Sequence, residues 1–292
     1  MKIAVDLMGG KGSGTQNLAA CFDYPSPKEL VLFGDAAKLD DKLIRQVLSA
    51  GAHLVPCTHK LTGNEQPRQL LKSGQGSSLY RCMQALANNE VEAVVSSADT
   101  KAMMVLGRKV VGTISELRRP AIAKAFQGPK GQFYMLDLGA NVRCSPSMLG
   151  QFARLGCALQ TANQIGEKRY KPRVALLNIG VERGKGTADL NEAARLLAAD
   201  QTLRTMGFIE PSDLFSGEAE VIVCDGYAGN LVLKTIESMA GFLRGQLSQL
   251  PQSDSELQKL ATRIDPDRYN GALLAGLEGV VVKSHGSTSP RG

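Results

Sequence analysis

The chain has 292 residues, of which 43% are hydrophobic and 5% are aromatic, with no tryptophan. This hydrophobic content is enough for one large core or two smaller ones, and it excludes a disordered chain. The formal net charge of +6 is spread along the sequence and favours an anionic partner or substrate. Basic and aromatic residues are not interleaved, which argues against binding to nucleic acid.

The six cysteines and three histidines form no CxxC pair and no metal-ligand spacing. We therefore expect reduced thiols in a cytoplasmic protein, with no metal and no cofactor. The amino terminus, MKIAVDLMGG, lacks the features of a signal peptide. No apolar stretch approaches the roughly 20 residues of a spanning helix, whereas a peripheral, amphipathic contact with a membrane surface stays open.

Seven short apolar runs predict strands: KIAVDLM, ELVLFGD, EAVVSSAD, QFYMLDLGAN, RVALLNIG, EVIVCDG and GVVVKSHG. Most of them are continuous rather than alternating, which is typical of strands buried on both faces of a parallel sheet. Between them, apolar residues three or four apart predict helices, as at Leu79, Met83 and Leu86. The alternation predicts an α/β fold with a mostly parallel sheet.

A long helix is predicted at about residues 231–250, and its apolar positions 233, 236, 239, 240 and 243 form one stripe. We expect this stripe to pack against another helix, with a twofold-related subunit as the favoured source. Residues 250–270 are predicted to form a helical excursion before the last strand. Residues 1–292 are otherwise assigned to a single domain.

Small or polar residues follow nearly every predicted strand. They are Asp6, Gly9, Gly10, Gly34, Asp35, Ser96, Ser97, Asp137, Gly139, Asn141, Asn178, Gly180, Asp225, Gly226, His285 and Gly286. A ligand of an open parallel sheet binds beyond the carboxyl ends of the strands, so we expect these residues to ring one site. For any single one of them, a role as a turn residue or a helix cap is the favoured explanation, but such residues at seven strand ends are harder to explain in this way.

Several familiar motifs are absent. GKGSGTQN lacks the spacing of a dinucleotide-binding turn, and GVERGKGT lacks that of a P-loop. There is no Gly-x-Ser-x-Gly elbow, and three histidines give little support to a Ser-His-Asp triad. What remains are glycine-rich turns that enter helices and favour an anion such as phosphate, with Lys185 and Lys234 adding positive charge. This inventory suits a reaction in which a substrate is itself the nucleophile.

Five segments carry a resemblance over almost the whole chain: KIAVDLMGG, LDLGANVRCSPSMLGQFARLG, LLNIGVERGKGT, SGEAEVIVCDGYAGNLVLKTIE and YNGALLAGLEGVVVKSHGS. Their order and spacing resemble those of the bacterial phosphate acyltransferase family (PlsX). The resemblance implies a three-layer αβα sandwich similar to phosphate acetyltransferases and isocitrate dehydrogenase-like folds, usually as a homodimer. It implies that acyl-acyl carrier protein (acyl-ACP) and inorganic phosphate are converted to acyl phosphate for phospholipid synthesis.

The resemblance also implies roles for individual residues. The catalytic residues are expected to be Lys185, Asp225 and Asn230. Substrate binding is expected of Asp6, Gly9, Gly10, Ser96, Thr100, Lys101, Asp137, Asn141, Gly186, Gly226, Lys234 and His285. Because their strands are predicted to be parallel, we expect the three catalytic residues to converge on one crevice.

The chain also departs from the family pattern. The segment KGS at positions 11–13 replaces an Asp followed by His or Asn, and Arg143 stands where Asp is common. The turn SSADTKA places Ala98, Asp99 and Lys101 where Gly, Asn and Gly are expected. If position 101 keeps a positive φ, its lysine is strained, while its ammonium group adds a charge for phosphate.

These departures leave other functions open. One is a non-catalytic descendant that binds acyl carrier protein or a sister subunit. Another is a phosphate acyltransferase that acts on acyl-CoA. An oxidoreductase of the isocitrate dehydrogenase kind is disfavoured, because its paired metal-binding aspartates have no evident counterpart.

Overall fold

A computed structural model of the chain describes residues 1–10, 14–163, 170–182, 184–249 and 270–284. The described residues form the strands β1 (Ile3–Asp6), β2 (Leu30–Gly34), β3 (His53–Pro56), β4 (Ala93–Ser96), β5 (Ala121–Gly128), β6 (Gly131–Leu136), β7 (Arg173–Leu177), β8 (Arg204–Ile209), β9 (Val221–Val223), β10 (Ala272–Ala275) and β11 (Val280–Lys283). They form the helices α1 (Gly14–Asp23), α2 (Asp41–Ser49), α3 (Pro67–Ser73), α4 (Ser78–Ala87), α5 (Thr100–Leu106), α6 (Pro146–Ala162), α7 (Ala188–Ala199) and α8 (Gly226–Leu247).

The elements group into two compact units. The first unit comprises Met1–Ile114 and Pro266–Gly292, and the second comprises Ser115–Asp265. Both units combine strands with helices, which confirms the predicted α/β class. The assignment of residues 1–292 to a single domain stays a prediction. The excursion predicted at residues 250–270 lies outside the described residues, apart from Asn270.

In the first unit the strand order is β3-β2-β1-β4-β11-β10, with only the β10–β11 pair antiparallel. Helices α1 and α2 cover one face of these strands, where Leu18, Ile44 and Leu32 share a core cluster. Because side chains alternate along a strand, Asp6 of β1 points to the opposite face and meets Ser78 of α4 there. The first unit therefore has helices on both faces of its strands.

In the second unit the order is β5-β6-β9-β7-β8. The β5–β6 pair is antiparallel, whereas β6, β9, β7 and β8 are parallel neighbours. The register places Leu136, Val223 and Leu176 side by side. The turns that follow β6, β9 and β7 consequently begin at the same edge.

Helix α8 begins at Gly226, five residues before its predicted start. The reason is its cap, since the Asp225 side chain accepts a hydrogen bond from the Ala228 N–H group and so begins the helix there. Of the predicted stripe on this helix, Met239 and Leu243 are exposed in the single chain. Among the described residues, no helix is long and apolar enough to cross a membrane.

Candidate active site

In the first unit, the Asp6 carboxylate lies at the end of β1 and is fully buried. It accepts hydrogen bonds from Ser78 Oγ at 2.6 Å, Ser96 Oγ at 2.7 Å and the Met8 N–H group at 3.1 Å. Burial raises the pKa of Asp6, and these hydrogen bonds oppose the rise. Asp6 thus joins the turns after β1 and β4 to the start of α4.

The turns after β1 and β4 approach each other closely. A Cβ atom at Gly9 would lie 2.8 Å from the Ala98 nitrogen and 2.9 Å from Ser96 Oγ. At Gly10, φ is +78° and a Cβ atom would lie 2.8 Å from Ser97 Oγ, which itself donates to the Gly9 carbonyl at 2.9 Å. Only glycine fits both positions, so four of the predicted substrate-binding residues, Asp6, Gly9, Gly10 and Ser96, lie together here.

Thr100 and Lys101 form the first turn of α5. The Asp99 side chain caps this helix by accepting hydrogen bonds from the Lys101 and Ala102 N–H groups at 3.0 and 3.3 Å. Lys101 has ordinary helical backbone and is not among the residues with positive φ. The condition for strain at this lysine is therefore not met, while its contact with phosphate stays a prediction.

Sequence reasoning overlooked Lys283, which lies beside the same turn. Strand β11 is parallel to β4 and places Lys283 opposite Ser96. Its ammonium group donates to the Ala98 carbonyl at 3.1 Å and to the Ser284 carbonyl at 3.4 Å, which ties the end of β11 to the turn before α5. A charged residue at the end of an apolar run was the available clue. His285, predicted to bind substrate, lies outside the described residues.

In the second unit, the carboxylate of Asp137 organises the turn after β6. It accepts hydrogen bonds at 2.6 to 3.3 Å from the N–H groups of residues 139–141 and of Ile122. The Asn141 amide nitrogen donates to the same carboxylate and to the Pro120 carbonyl, both at 2.9 Å. Burial raises the pKa of Asp137, and these hydrogen bonds oppose the rise. The predicted residues Asp137 and Asn141 are both buried inside their own turn.

This turn holds the start of α8. The Gly226 N–H group donates to the Asn141 carbonyl at 2.7 Å. The Asn230 side chain packs against Gly139, where an added Cβ atom would lie 3.5 Å from Asn230 Oδ1. Asp225 precedes Gly226 and caps the helix through a 2.8 Å hydrogen bond. The structure therefore brings Asp225, Gly226 and Asn230 beside the turn after β6.

Lys185 lies in the turn after β7, which the buried Asn178 side chain holds in place. Asn178 Nδ2 donates to the Lys185 carbonyl at 3.1 Å, and its Oδ1 accepts from the Ile179 N–H group at 2.9 Å. At Gly186, φ is +77° and a Cβ atom would overlap Asn178 Oδ1. The Lys185 side chain is exposed. Asn178 was expected among the strand-end residues that ring the site, but no catalytic or substrate-binding role was assigned to it.

The turns that carry Asp137, Asp225 and Lys185 belong to adjacent parallel strands. Since neighbouring strands lie about 4.8 Å apart, the three turns start within about 10 Å of each other at one edge. The convergence of Lys185, Asp225 and Asn230 on a single ligand stays a prediction. Lys234 lies one helical turn after Asn230 on α8, and its ammonium group forms an ion pair with the Glu237 carboxylate at 2.7 Å.

This edge of the second unit favours an anion. It combines the exposed Lys185 ammonium group, the Asn230 amide and the amino terminus of a 22-residue helix, whose dipole favours negative charge. In the part of the chain that the structure describes, no group of three or more His, Cys, Asp or Glu residues could hold a metal ion. The edge is suited to positioning and electrostatic stabilisation of a phosphate group.

The fold matches those of acyl-transferring enzymes. A branched-chain phosphotransacylase from Enterococcus faecalis superposes with a TM-score of 0.63 at 13% identity, covering 100% of this chain and 94% of that one. A phosphotransacetylase from Streptococcus pyogenes gives a TM-score of 0.62 at 11% identity, covering 99% and 89%. At these identities the likeness establishes the fold, and it confirms the αβα architecture predicted from the sequence.

Sequence comparison identifies the family. A model of the family described as "Fatty acid synthesis protein" matches residues 1–292. A phosphate acyltransferase from Pseudomonas savastanoi is 38% identical over 99% of this chain and 89% of its own length. One from Tolumonas auensis is 36% identical over 100% and 89%. The protein is thus an acyltransferase by class, and it belongs to the phosphate acyltransferase family.

Proposed function

We propose that this protein transfers a long-chain acyl group from acyl carrier protein to inorganic phosphate, giving acyl phosphate for phospholipid synthesis. The observation that carries the proposal is the edge of the second unit, where the Lys185 turn and the amino terminus of α8 begin within about 10 Å of each other. Relatives named phosphate acyltransferases match this chain along its whole length.

In the proposed reaction, an oxygen of phosphate attacks the thioester carbonyl carbon and forms the new C–O bond. The C–S bond breaks, and the carrier thiolate leaves with the proton that phosphate gives up. Lys185 binds and orients the phosphate, while Asn230 donates a hydrogen bond to the developing oxyanion. Asp225 accepts the phosphate proton in transit and caps α8 with its other oxygen. Phosphate is already a nucleophile at neutral pH, so no enzyme-bound acyl intermediate is required.

Burial changes the roles proposed for two of the predicted substrate-binding residues. Asp6 and Asp137 are 1% and 0% exposed, and donors of the protein occupy their carboxylates. We propose that both act by holding the turns that carry the exposed groups. Lys101, Thr100, Lys234 and Gly186 remain proposed phosphate contacts.

Two partners belong to the proposal. Acyl carrier protein is strongly acidic, and the net charge of +6 suits electrostatic steering of such a partner. The second partner is another copy of this chain, because α8 presents Met239, Phe242 and Leu243 to solvent. Peripheral association with a membrane surface stays part of the proposal.

The test is an assay of acyl phosphate formation from phosphate and hexadecanoyl-ACP, run beside hexadecanoyl-CoA. We expect faster turnover with the carrier protein. Turnover with the CoA ester alone would instead support a CoA-dependent phosphate acyltransferase. If neither donor reacts and phosphate does not raise the melting temperature, the non-catalytic alternative holds, because a ligand that binds only the folded state must stabilise it.

A further inference from the structure

Large apolar side chains are exposed beside the candidate site of the second unit. Among the described residues, eight of them are more than half exposed. Met1 is the terminal residue, and Met239 and Phe242 lie on the last turns of α8. The other five lie in the turns after β6 and β7 and on the first turns of α8: Val142, Ile179, Val181, Tyr227 and Leu231, with exposed fractions of 65, 79, 58, 63 and 53%. We call these five residues the apolar rim.

The rim residues share one edge because their elements do. Val142 follows Asn141, whose carbonyl accepts the Gly226 N–H group at 2.7 Å, and Tyr227 is the next residue of α8. Ile179 follows Asn178 at the end of β7, the strand next to β9. Three parallel strands about 4.8 Å apart thus place all three segments within one small surface.

A catalytic candidate lies next to the rim on α8. On α8, residues 227, 230, 231 and 234 are spaced by three and four positions, so they share one face of the helix. Asn230 therefore lies on the same face of the helix as the exposed Tyr227 and Leu231 side chains. Positive charge adjoins the rim as well, from the exposed Arg143 and Lys185 side chains.

We propose that the apolar rim binds the acyl chain of the acyl donor and that it sets the preference for long chains. This inference rests on the proposed function. A ligand with an apolar chain and an anionic reacting partner matches the adjoining apolar and cationic groups. A second copy of the chain is a poorer occupant, because a permanent cover at this edge would close Lys185 and Asn230 off from substrate.

The test replaces Ile179 and Val181 by serine together, since both side chains are exposed and leave the core unchanged. We expect the ratio of kcat/KM for hexadecanoyl-ACP to that for butanoyl-ACP to fall about 10-fold, because the longer chain loses contact with several methyl groups. The matched control replaces Leu196 and Met206, two exposed apolar residues elsewhere in the second unit, by serine. The control is expected to keep the wild-type ratio. An unchanged ratio in the Ile179→Ser, Val181→Ser protein overturns the proposal.

A binding measurement separates this inference from the proposed function. The probe is hexadecanoyl pantetheine amide, which has no thioester and cannot react. The double variant is expected to bind it about 10-fold more weakly than the wild type does, even if neither protein forms acyl phosphate. In that case the rim is supported and the proposed reaction fails. Equal binding by both proteins, no binding by the wild type, or conversion of a dimer to a monomer by the double variant each overturns the inference.

Discussion

Gly184 and Gly186 flank Lys185 and differ in their surroundings. Both have positive φ, +86° and +77°, but a Cβ atom at Gly184 meets nothing within 4 Å, whereas at Gly186 it overlaps Asn178 Oδ1. Alanine at either position costs roughly 1 kcal/mol of backbone strain. Only Gly186→Ala must also displace the side chain that holds the turn. We expect it to lower kcat/KM on the order of 100-fold, since a misplaced donor has that effect.

Gly184→Ala is the matched control, with an expected loss below about 5-fold because its strain is confined to the exposed turn. Both variants are measured by acyl phosphate formation and by thermal unfolding. Equal activities of the two variants would show that Asn178 does not position Lys185. A large loss in Gly184→Ala alone would contradict the geometry of this turn.

The two buried aspartates respond differently to replacement by asparagine. Two of the donors to Asp6 are serine hydroxyls, which can rotate and accept from an amide. The donors to Asp137 are mainly backbone N–H groups, which cannot reverse. Asp137→Asn is therefore expected to lower the free energy of unfolding by about 3 kcal/mol, and Asp6→Asn by about 1 kcal/mol. Urea unfolding measures both, with exposed Asp189→Asn as the control.

The Asp6 variant also has a pH signature. The pKa of Asp6 is raised above its ordinary value of 3.8 in the folded protein. At pH values between 3.8 and this raised pKa, the folded state therefore binds more protons than the unfolded state. Its contribution to stability accordingly falls as the pH rises through that window. Asp6→Asn cannot titrate, and the slope of unfolding free energy against pH above 3.8 should become less negative. An unchanged slope would mean that Asp6 does not ionise with an elevated pKa.

The sequence predicted the turns that contain Asp6 and Asp137, but it did not predict that both carboxylates are buried. A strand-end Asp followed by glycines predicts a turn, and the turns of Asp6 and Asp137 are where this rule places them. The serines that enclose Asp6 are distant in sequence, with Ser78 at 72 positions from it, whereas the carboxylate of Asp137 is enclosed mainly by its own turn. No local pattern distinguishes a carboxylate that faces substrate from one that faces its own backbone. Lys283 was overlooked because its partner, the Ala98 carbonyl, is also distant in sequence.

At the scale of the element, Asp225 is both the cap of α8 and a proposed proton acceptor. Asn at this position keeps a side-chain oxygen for the Ala228 N–H group but loses the charge. We expect the free energy of unfolding of Asp225→Asn to stay within about 0.5 kcal/mol of the wild-type value while its kcat falls by about 100-fold. Asp225→Ala is expected to lose the same activity and, in addition, about 1 kcal/mol of the free energy of unfolding. Chemical denaturation and the acyl phosphate assay separate the two effects. Full activity in Asp225→Asn would leave this residue only its capping role.

The strands show which elements of the sheet the apolar pattern of the sequence can predict. All seven predicted strands are present, and the four that were missed are β3, β5, β8 and β10. Strands β3 and β8 are the outermost strands of their units, while β5 and β10 run antiparallel to a neighbour. The residues of β3 and β8 are mostly exposed or half-buried, so these two strands lack a continuous buried apolar run. Strands β5 and β10, in contrast, contain fully buried apolar residues. Lys124 in β5 and the positive φ of Gly207 in β8 interrupt the pattern further.

At the scale of the whole molecule, most of α8 is left unburied in a single copy of the chain. Of its 22 residues only Gly226 and Gly229 are buried, and both lie in the first turn. The last turns expose Met239, Phe242 and Leu243 with fractions of 55, 60 and 43%. A contiguous apolar surface of this kind usually marks an interface, and a twofold dimer is the commonest way to cover it.

We therefore expect a dimer by light scattering at micromolar concentration. Replacing Phe242 and Leu243 by glutamate together should give a folded monomer, because the two carboxylates would be buried without partners in the interface. Phe22→Glu, at a 46% exposed position in the first unit, serves as the control and should remain dimeric. Circular dichroism establishes that each variant is folded. A wild type that is monomeric under these conditions, or a Phe242→Glu, Leu243→Glu protein that stays dimeric, rules out this face of α8 as the dimer interface.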